Sequence, residues 1–404
     1  MNRTPAAGAL SHIKIVELGS FIAGPFCGQL LADLGAEVIK VEPPGAGDAM
    51  RRWGAQKSKE GLSLWWPVIA RNKLSVTLDL RRKEAREAAR RLILDADVLI
   101  ENFRPGTLEN WGLAPADLQR AKPSLIISRV SAFGQTGPYS HRGGFGSVAE
   151  AAAGLRHLTG FPDLPPPRVG ISIGDSLAGL FSAIGILAAL VHRSRSMDRG
   201  QIIDVSIAES VLAVMESVFS EYMETGLSRD RTGSILPGIA PSNLYPTANG
   251  KLVLIAANAD GLFLRLAAAM GMPRLADDPR FGTHAARGQH QAELDRIIAA
   301  WTEMQSADEI LGLMEKAGVP AGPVNDAAAV CADLHFRARE MIVSVDALGL
   351  GAVTMQGVVP KLSDSPGSIR WAGPPLGAHN REILGGRLKL SPAEIERLST
   401  STSA

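Results

Sequence analysis

The chain of 404 residues contains two cysteines, three tyrosines and eight histidines, and its charges almost cancel: 42 Lys and Arg stand against 41 Asp and Glu, a formal net charge of +1. Each scarcity excludes something. Two distant cysteines, Cys27 and Cys331, can build neither a four-ligand zinc site nor a disulfide framework, and so low a count fits a reducing compartment. The histidines fall in no HxxxH or HExxH spacing, so no metal is expected. A balanced charge leaves no electrostatic footprint for nucleic acid or an anionic membrane. No GxxxxGK[ST] phosphate loop occurs. The longest apolar stretch, residues 176–191, is short for a bilayer span and rich in Gly and Ala. The opening MNRTPAAGALSHIKIVEL has no apolar block ahead of its first strand-like run, unlike a signal peptide. These absences lead to the expectation of a cytoplasmic protein with no nucleic-acid or membrane partner.

What is present points to an α/β fold. The chain is 46% hydrophobic and long enough for two domains. IKIVEL (13–18), AEVIKVE (36–42), LSVTLDL (74–80), ADVLIEN (96–102), SLIISRV (124–130) and QIIDVSI (201–207) read as strands. GPFCGQLLADLG and RKEAREAARRLILD (82–95) lie between them with helical spacing. Such alternation predicts βαβ units and a parallel sheet, with ligands beyond the carboxyl ends of the strands. A helix starting near Asp175 is apolar almost all round, with Ala178, Gly179, Ala183, Gly185, Ala188 and Ala189 leaving little bulk, so it is expected at the centre of the fold. AESVLAVMESVFSEYMETG reads as one long helix.

Composition changes at SRDRTGSILPGIAPSN (228–243), a loop rich in Gly, Ser and Pro. Two strand-like runs then flank an Asn249–Gly250 turn, and helices are expected near 260–271, 291–303 and 306–317. The predicted organisation is a large domain over 1–207, a linker helix over 208–230, a smaller α+β domain over 231–330, and a C-terminal segment, 331–404, that returns to the large domain. From its own residues the smaller domain's RTGSILPGIAP (231–241), with Gly233 and Gly238, reads as a plain linker.

Candidate functional groups gather at the predicted strand ends. GSFIAGP follows the first strand; Arg81 follows LSVTLDL; Phe103, Arg104, Pro105 and Gly106 follow ADVLIEN; SAFGQTGP follows SLIISRV. Four such loops on one sheet edge fit a long nucleotide-like ligand, with Arg81 and Arg104 on phosphates and Phe103 against a base. Taken singly, each also reads as ordinary loop chemistry. A GxGxxA match at Gly144, Gly146 and Ala149 lies well beyond its strand, whereas a dinucleotide site needs the glycines in the first strand-to-helix turn. Cys27 sits in an apolar helical stretch and reads as a small buried hydrophobe. Asp175, just after Gly174 at the mouth of an apolar helix, reads either as a cap or as a reactive carboxylate.

IVELGSFIAGPF, LGAEVIKVEPPGAGD, RNKLSVTLDL, DVLIENFRPGTLENWGL, the SAFGQTGP loop, the GD of GISIGDSLAG and DRGQIIDVSIAESVL together resemble the class III CoA-transferases of the formyl-CoA and carnitine CoA-transferase type over most of the chain. The resemblance implies two interlocked, ring-like subunits forming a homodimer, each with a Rossmann-like large domain and a small domain joined by long linkers. It makes Asp175 the nucleophile. It places CoA contacts on Ile22 and Ala23, on Leu78, Asp79, Leu80 and Arg81, on Asn102, Phe103 and Arg104, and on Arg142, Gly143, Gly144 and Phe145. Two positions depart from the family pattern: Pro43 stands where some members carry a basic residue, and Gly146 where many carry an acid. Glu150, one helical turn on, is a candidate replacement for that acid.

The implied chemistry needs no metal and no permanently bound cofactor; the CoA thioester is itself a substrate. A carboxylate attacks the thioester to give a mixed anhydride, and CoA thiolate then gives an aspartyl-CoA thioester that an acceptor acid resolves. A helix N-terminus favours the ionised attacker by about 0.3–1 kcal/mol. The partners implied are an acyl-CoA such as succinyl-CoA and a small carboxylic acid, with Arg142 pointing toward a dicarboxylate. An α-methylacyl-CoA racemase of the same superfamily needs an acid–base pair at the α-carbon, and Phe145 and Gly146 stand where that branch carries His-Asp. A non-catalytic CoA-binding or nicotinamide-binding protein is the remaining alternative.

Overall fold

The computed structural model describes residues 8–55, 57–58 and 61–400. The segment ahead of Gly8, read above as carrying no signal peptide, lies outside the described residues. Two compact units form: residues 1–155, 169–219 and 334–404 make the first, and residues 156–168 and 220–333 the second.

The first unit is built on six strands: β1 (Lys14–Glu17), β2 (Glu37–Glu42), β3 (Lys73–Thr77), β4 (Val98–Glu101), β5 (Ile126–Ser131) and β6 (Ile202–Ser206). They run parallel in the order β3-β2-β1-β4-β5-β6. That order reverses between β1 and β4, and the crevice at such a reversal is where doubly wound sheets bind ligands. Alternation along the strands divides the core. Val16, Leu18, Ile39, Val76, Leu99 and Ile127 pack on one face with Ala85, Ala88, Leu92 and Ile93 of α2 (Lys83–Asp95). Ile15, Val38, Val98, Ile100 and Ile126 pack on the other with Cys27 and Leu31 of α1 (Ala23–Asp33). After β5 come α3 (Gly146–Ala152), α4 (Ile173–Arg193) and, directly after β6, α5 (Ile207–Leu212).

LSVTLDL stops as a strand at Thr77, which pairs with Glu42, the last residue of β2. Leu78 N–H still donates to the Glu42 carbonyl at 2.9 Å, but β2 ends there; the chain then turns, and Arg82 N–H donates to the Asp79 carbonyl. The helix at Asp175 is not buried all round. Its small face, Ala178, Gly179, Ser182, Ala183, Ile186 and Ala189, is buried, while Leu180, Phe181, Ile184 and Val191 are exposed. Its 21 residues outrun the apolar stretch 176–191 and by length and composition alone match a bilayer span, but the small face packs with core strand residues, as in a core helix. The single long helix expected after β6 is two: α5 ends at Leu212 and a second runs over Val218–Thr225, with Glu216 at φ 52° between them. No proline or glycine marks that break.

Edge strand β3 is covered by the chain's end. Thr77 N–H donates to Asn380 Oδ1 at 2.9 Å, His379 N–H to the Ser75 carbonyl, and Trp371 Nε1 to the Lys73 carbonyl at 3.0 Å. An uncovered edge would be a template for mispairing. The MIVSVDA and VTMQGVVP runs form an antiparallel hairpin, Ile342–Ala347 with Gly351–Gln356. Arg71 clamps the buried Asp33 through Nε and Nη2.

In the second unit β7 (Ser242–Pro246) and β8 (Leu252–Ala256) form the hairpin expected around Asn249–Gly250, with Gly250 at φ 74°, and β9 (Ala321–Pro323) joins β8. Tyr245, Val253 and Ile255 pack against Phe263 and Leu266 of α6 (Asp260–Ala269), Leu294 and Ile298 of α7 (Gln291–Thr302), and Ile310 and Met314 of α8 (Ala307–Ala317). Ser306 and Glu309 form a capping box at the start of α8, and Gly318 ends it at φ 64°. Residues 228–241 are loop.

A buried charge network lies under the carboxyl ends of β1 and β2. Lys40 Nζ reaches Glu17 Oε1 at 2.9 Å, Asp48 Oδ2 at 2.9 Å and the Gly19 carbonyl at 2.7 Å, and Lys73 Nζ reaches Glu17 Oε2 at 2.8 Å. Burial pushes the Glu17 and Asp48 carboxyls up, but the ammonium groups outweigh it and hold both below the usual carboxylate range. Asp48 Oδ1 in turn accepts the N–H of Met50 at 3.0 Å and of Phe21 at 3.3 Å.

Lys40→Met removes the only cation paired with buried Asp48 among the described residues, and we expect a loss of about 3 kcal/mol in urea unfolding at pH 7. The folded carboxyls titrate below their unfolded values of about 3.9 for Asp and 4.3 for Glu. Their contribution is therefore complete above about pH 4 and fades as pH falls through the folded values. The stability gap between wild type and Lys40→Met should narrow below about pH 4; a gap that is constant or widens would contradict this. Cys27 is fully buried, and burial pushes its thiol up to about 12. Iodoacetamide at pH 8 should leave Cys27 unmodified in the native protein and alkylate it in guanidinium, as read by peptide mass spectrometry.

Candidate active site

The cavity at the switch point has a volume of about 330 Å³ and is lined from four consecutive strand ends. The β1–α1 loop gives Ser20, Phe21, Ile22 and Ala23; the end of β4 gives Asn102, Phe103, Arg104 and Pro105; β5 and its loop give Val130 to Ala132 and Arg142 to Phe145; Asp175 and Ile207 close it. Ten of the sequence-predicted residues thus meet there: Ile22, Ala23, Asn102, Phe103, Arg104, Arg142, Gly143, Gly144, Phe145 and Asp175. Leu78, Asp79, Leu80 and Arg81 do not line it. Leu78 is buried in the core, Leu80 packs against that core, and Arg81 Nε and Nη2 each bond Asp79 at 2.8 Å. The Arg81 side chain itself stays 66% exposed, on the same sheet edge as the cavity.

The walls are held by specific bonds. Asn102 locks the β1–α1 loop twice: its Oδ1 accepts Ser20 N–H at 2.7 Å, and its Nδ2 donates to the Ser20 carbonyl at 2.8 Å. A side chain at Gly19 would begin 2.8 Å from Asn102 Oδ1, so the loop requires glycine there. Glu101 Oε2 accepts Phe103 N–H at 2.8 Å while its Oε1 bonds Arg129 Nε at 2.7 Å. The Phe103 ring packs edge-on to Trp111, 5.0 Å between centroids. Phe21 takes a left-handed φ of 64°, and its ring meets those of Phe145 and Trp53 at 5.6 and 5.4 Å. Phe21 was not predicted: its neighbours Gly19 and Gly24 mark a turn, but nothing in the local sequence marks a left-handed phenylalanine.

The cationic groups at the mouth are Arg104 and Arg142, both exposed. Arg142 stacks on the Tyr139 ring at 3.7 Å, and a Cβ on Gly143 would lie 2.9 Å from an Nη of Arg104. Among the described residues neither guanidinium pairs with a carboxylate. Two unneutralised guanidiniums beside an apolar cleft suit a ligand that is anionic at one end.

Asp175 is the third residue of α4 and half-buried. Its carboxylate stands against the backbone of Gly146, the first residue of α3; a Cβ on Gly146 would lie 2.3 Å from Oδ2. Gly146 is thus the residue that leaves room for Asp175. Glu150 does not open to solvent. It is fully buried, and its Oε1 accepts the N–H of Gly174 at 3.2 Å. Of the GxGxxA glycines, Gly144 lies in the connection from β5 to α3 and Gly146 opens α3, far from the first strand-to-helix turn between β1 and α1, so the dinucleotide fingerprint is misplaced.

The carboxylate can attack an acyl carbon, and the cleft can hold an elongated anionic ligand. Known proteins resemble the chain over nearly its whole length. A sequence profile described as CoA-transferase family III matches residues 10–380. The chain is 56% identical to succinyl-CoA–D-citramalate CoA-transferase of Chloroflexus aurantiacus over 96% of each chain. It is 36% identical to succinate–glutarate CoA-transferase of Agrobacterium fabrum over 95% of this chain and 96% of that one. A CaiB/BaiF family protein from Brucella suis has a similar structure, with a TM-score of 0.82 at 36% identity, covering 96% of this chain and all of that one. With matches spanning nearly its whole length, the chain belongs to CoA-transferase family III and is a CoA-transferase.

Proposed function

We propose that the protein moves CoA from succinyl-CoA to a small dicarboxylate of the citramalate class, with Asp175 as the covalent nucleophile. The observation that carries this reading is Asp175 itself: among the residues lining the switch-point cavity it is the only carboxylate, and it sits in the first turn of a helix. A helix N-terminus favours the ionised attacker. The substrate class is supported by the 56% identity to a citramalate enzyme.

The steps balance without an external reagent. An Asp175 oxygen bonds the succinyl carbonyl carbon, the C–S bond breaks, and CoA leaves as thiolate. The thiolate attacks the aspartyl carbonyl of the resulting anhydride, succinate departs, and an aspartyl-CoA thioester remains. The acceptor carboxylate attacks that thioester and expels the thiolate, which then takes the acceptor acyl group and frees Asp175. Splitting one exchange between two thioesters into four such steps is covalent catalysis. Arg104 and Arg142 hold anionic groups of CoA or the acceptor's second carboxylate, and the β1–α1 and β4 loops grip the pantetheine. Racemisation gains no support: Phe145 and Gly146 carry no transferable proton.

In one experiment, succinyl-CoA is mixed with the protein and with citramalate, malate, glutarate, mesaconate and a monocarboxylate in turn. New acyl-CoA should form with the dicarboxylates, and hydroxylamine should trap a derivative at Asp175 that Asp175→Asn cannot form. Turnover by Asp175→Asn near the wild-type rate would end the nucleophile assignment, and preference for the monocarboxylate would end the substrate assignment.

We further infer a homodimer in the cytoplasm. Leu180, Ile184 and Val191 leave an apolar face on α4 exposed, at 42%, 59% and 55%, and a count of only two cysteines fits a reducing compartment. Sedimentation equilibrium should return twice the chain mass of 42.7 kDa; a monomer mass at micromolar concentration would rule the dimer out.

A further inference from the structure

We propose that Glu150 is a positioning residue for Asp175, capping from α3 the helix whose first turn carries the nucleophile; the inference rests on the reading of Asp175 given above. The first amides of any α-helix have no partner within the helix, and a side chain at the N-cap ordinarily takes one of them. The N-cap of α4 is Ser172, and its side chain makes no cap bond. The amide of Gly174, buried at the second helical position, donates instead to Glu150 Oε1 at 3.2 Å, across 24 residues of sequence. The cap is supplied by another helix.

The surroundings fit that role. Glu150 is fully buried in a run of small residues, AEAAAG, where a side chain serving only to fill space would carry no polar atoms. Burying a carboxyl group costs free energy unless hydrogen bonds compensate. Gly174 brings the helices close enough: its missing Cβ would lie 3.1 Å from Glu150 Cγ. One turn earlier on α3, Gly146 abuts the Asp175 carboxylate itself. Two points on α3, one turn apart, therefore touch two successive residues of α4. One holds the backbone and the other leaves room for the reacting oxygens. Glu150 lies outside the cavity lining, so it acts through the backbone at Gly174 and touches no substrate.

Loss of the acceptor leaves the Gly174 N–H buried without its Glu150 partner, loosens the first turn and lets the nucleophile drift from its attack geometry. Glu150→Met keeps the volume and removes the acceptor. Glu150→Gln keeps an acceptor oxygen and removes the charge. We expect Glu150→Met to lower kcat by about 30-fold with KM for succinyl-CoA within about threefold of wild type. Glu150→Gln should return kcat to within about threefold and overlay the wild-type pH–rate profile. Wild-type kcat in Glu150→Met would overturn the proposal. So would a folded Glu150→Gln as slow as Glu150→Met, because the charge or proton, and not the acceptor, would then be what matters. Hydrogen exchange on the wild-type protein gives a reading that needs no variant: the Gly174 amide should exchange well below the rate of the Ile173 amide, and equal rapid exchange would refute the cap. Trapping at Asp175 in the wild type reports separately on the nucleophile, so either assignment can fail while the other stands.

Discussion

The site depends on how closely one helix approaches its neighbours. α4 carries Asp175, and three missing side chains set its position. At Gly179 a Cβ would lie 2.9 Å from the Ala23 carbonyl and 2.9 Å from the Phe26 ring of α1. At Gly174 it would press on Glu150, and at Gly146, on α3, it would overlap the Asp175 carboxylate. Cores are close-packed and do not yield by such amounts without moving backbone. The glycines therefore set the distance from α4 to α1 and α3, and with it the distance from the carboxylate to the cavity wall. The backbone flexibility that glycine confers on an unfolded chain costs stability, and here close approach offsets that cost.

Below the cavity the strands end in buried charge. Glu17, Glu42 and Glu101 lie at the carboxyl ends of β1, β2 and β4, and each meets a cation: Lys40 and Lys73, Arg51, and Arg129. Such pairs add little net stability over apolar packing, since desolvation consumes most of the attraction. Their hydrogen bonds show another use. Glu101 takes the Phe103 amide, Glu42 takes the Asp48 amide at 3.0 Å, and Asp48 takes the Phe21 amide. The charges specify loop geometry at the sheet edge where the cavity-lining residues sit. The ordinary strand interior cannot do this, because its backbone groups are already spent on the ladder.

The strands, α1, α2 and the Asn249–Gly250 hairpin were legible because each carries a local signal: alternation, helical spacing or a turn dipeptide. The strand-end placement of Phe103 and Arg104 follows from reading the sheet as parallel, whereas Ile22, Asn102 and Arg142 follow only from the family resemblance. The remainder was decided by tertiary contact. LSVTLDL has the strand pattern to Leu80, but β2 offers no partner beyond Glu42. The break between α5 and the helix at Val218 rests on one left-handed residue, Glu216, of a type that rarely adopts that conformation. α4 reads as central on all sides because composition cannot tell a face that meets the sheet from one that stays exposed. From the sequence, Glu150 reads only as a stand-in for a missing acid. Its burial and its hold on Gly174 depend on a helix 24 residues away.

Two nucleophilic side chains at this junction, Cys27 and Asp175, differ sharply in access. Cys27, on α1, is intrinsically the better nucleophile as thiolate, yet it lies under α4 with its thiol pushed up to about 12 by burial. Asp175 is the weaker nucleophile and half-open to the cavity. For acyl exchange that arrangement has a chemical logic. A cysteine thioester would be no more activated than the incoming CoA ester, whereas an aspartyl anhydride exceeds both in reactivity and can pass the acyl group in either direction. A carboxylate also needs no general base to become ionised near neutral pH. The only demands left on the protein are a fixed carboxylate, a channel for the thiol and exclusion of water, and the close-packed helix junction supplies the first of these.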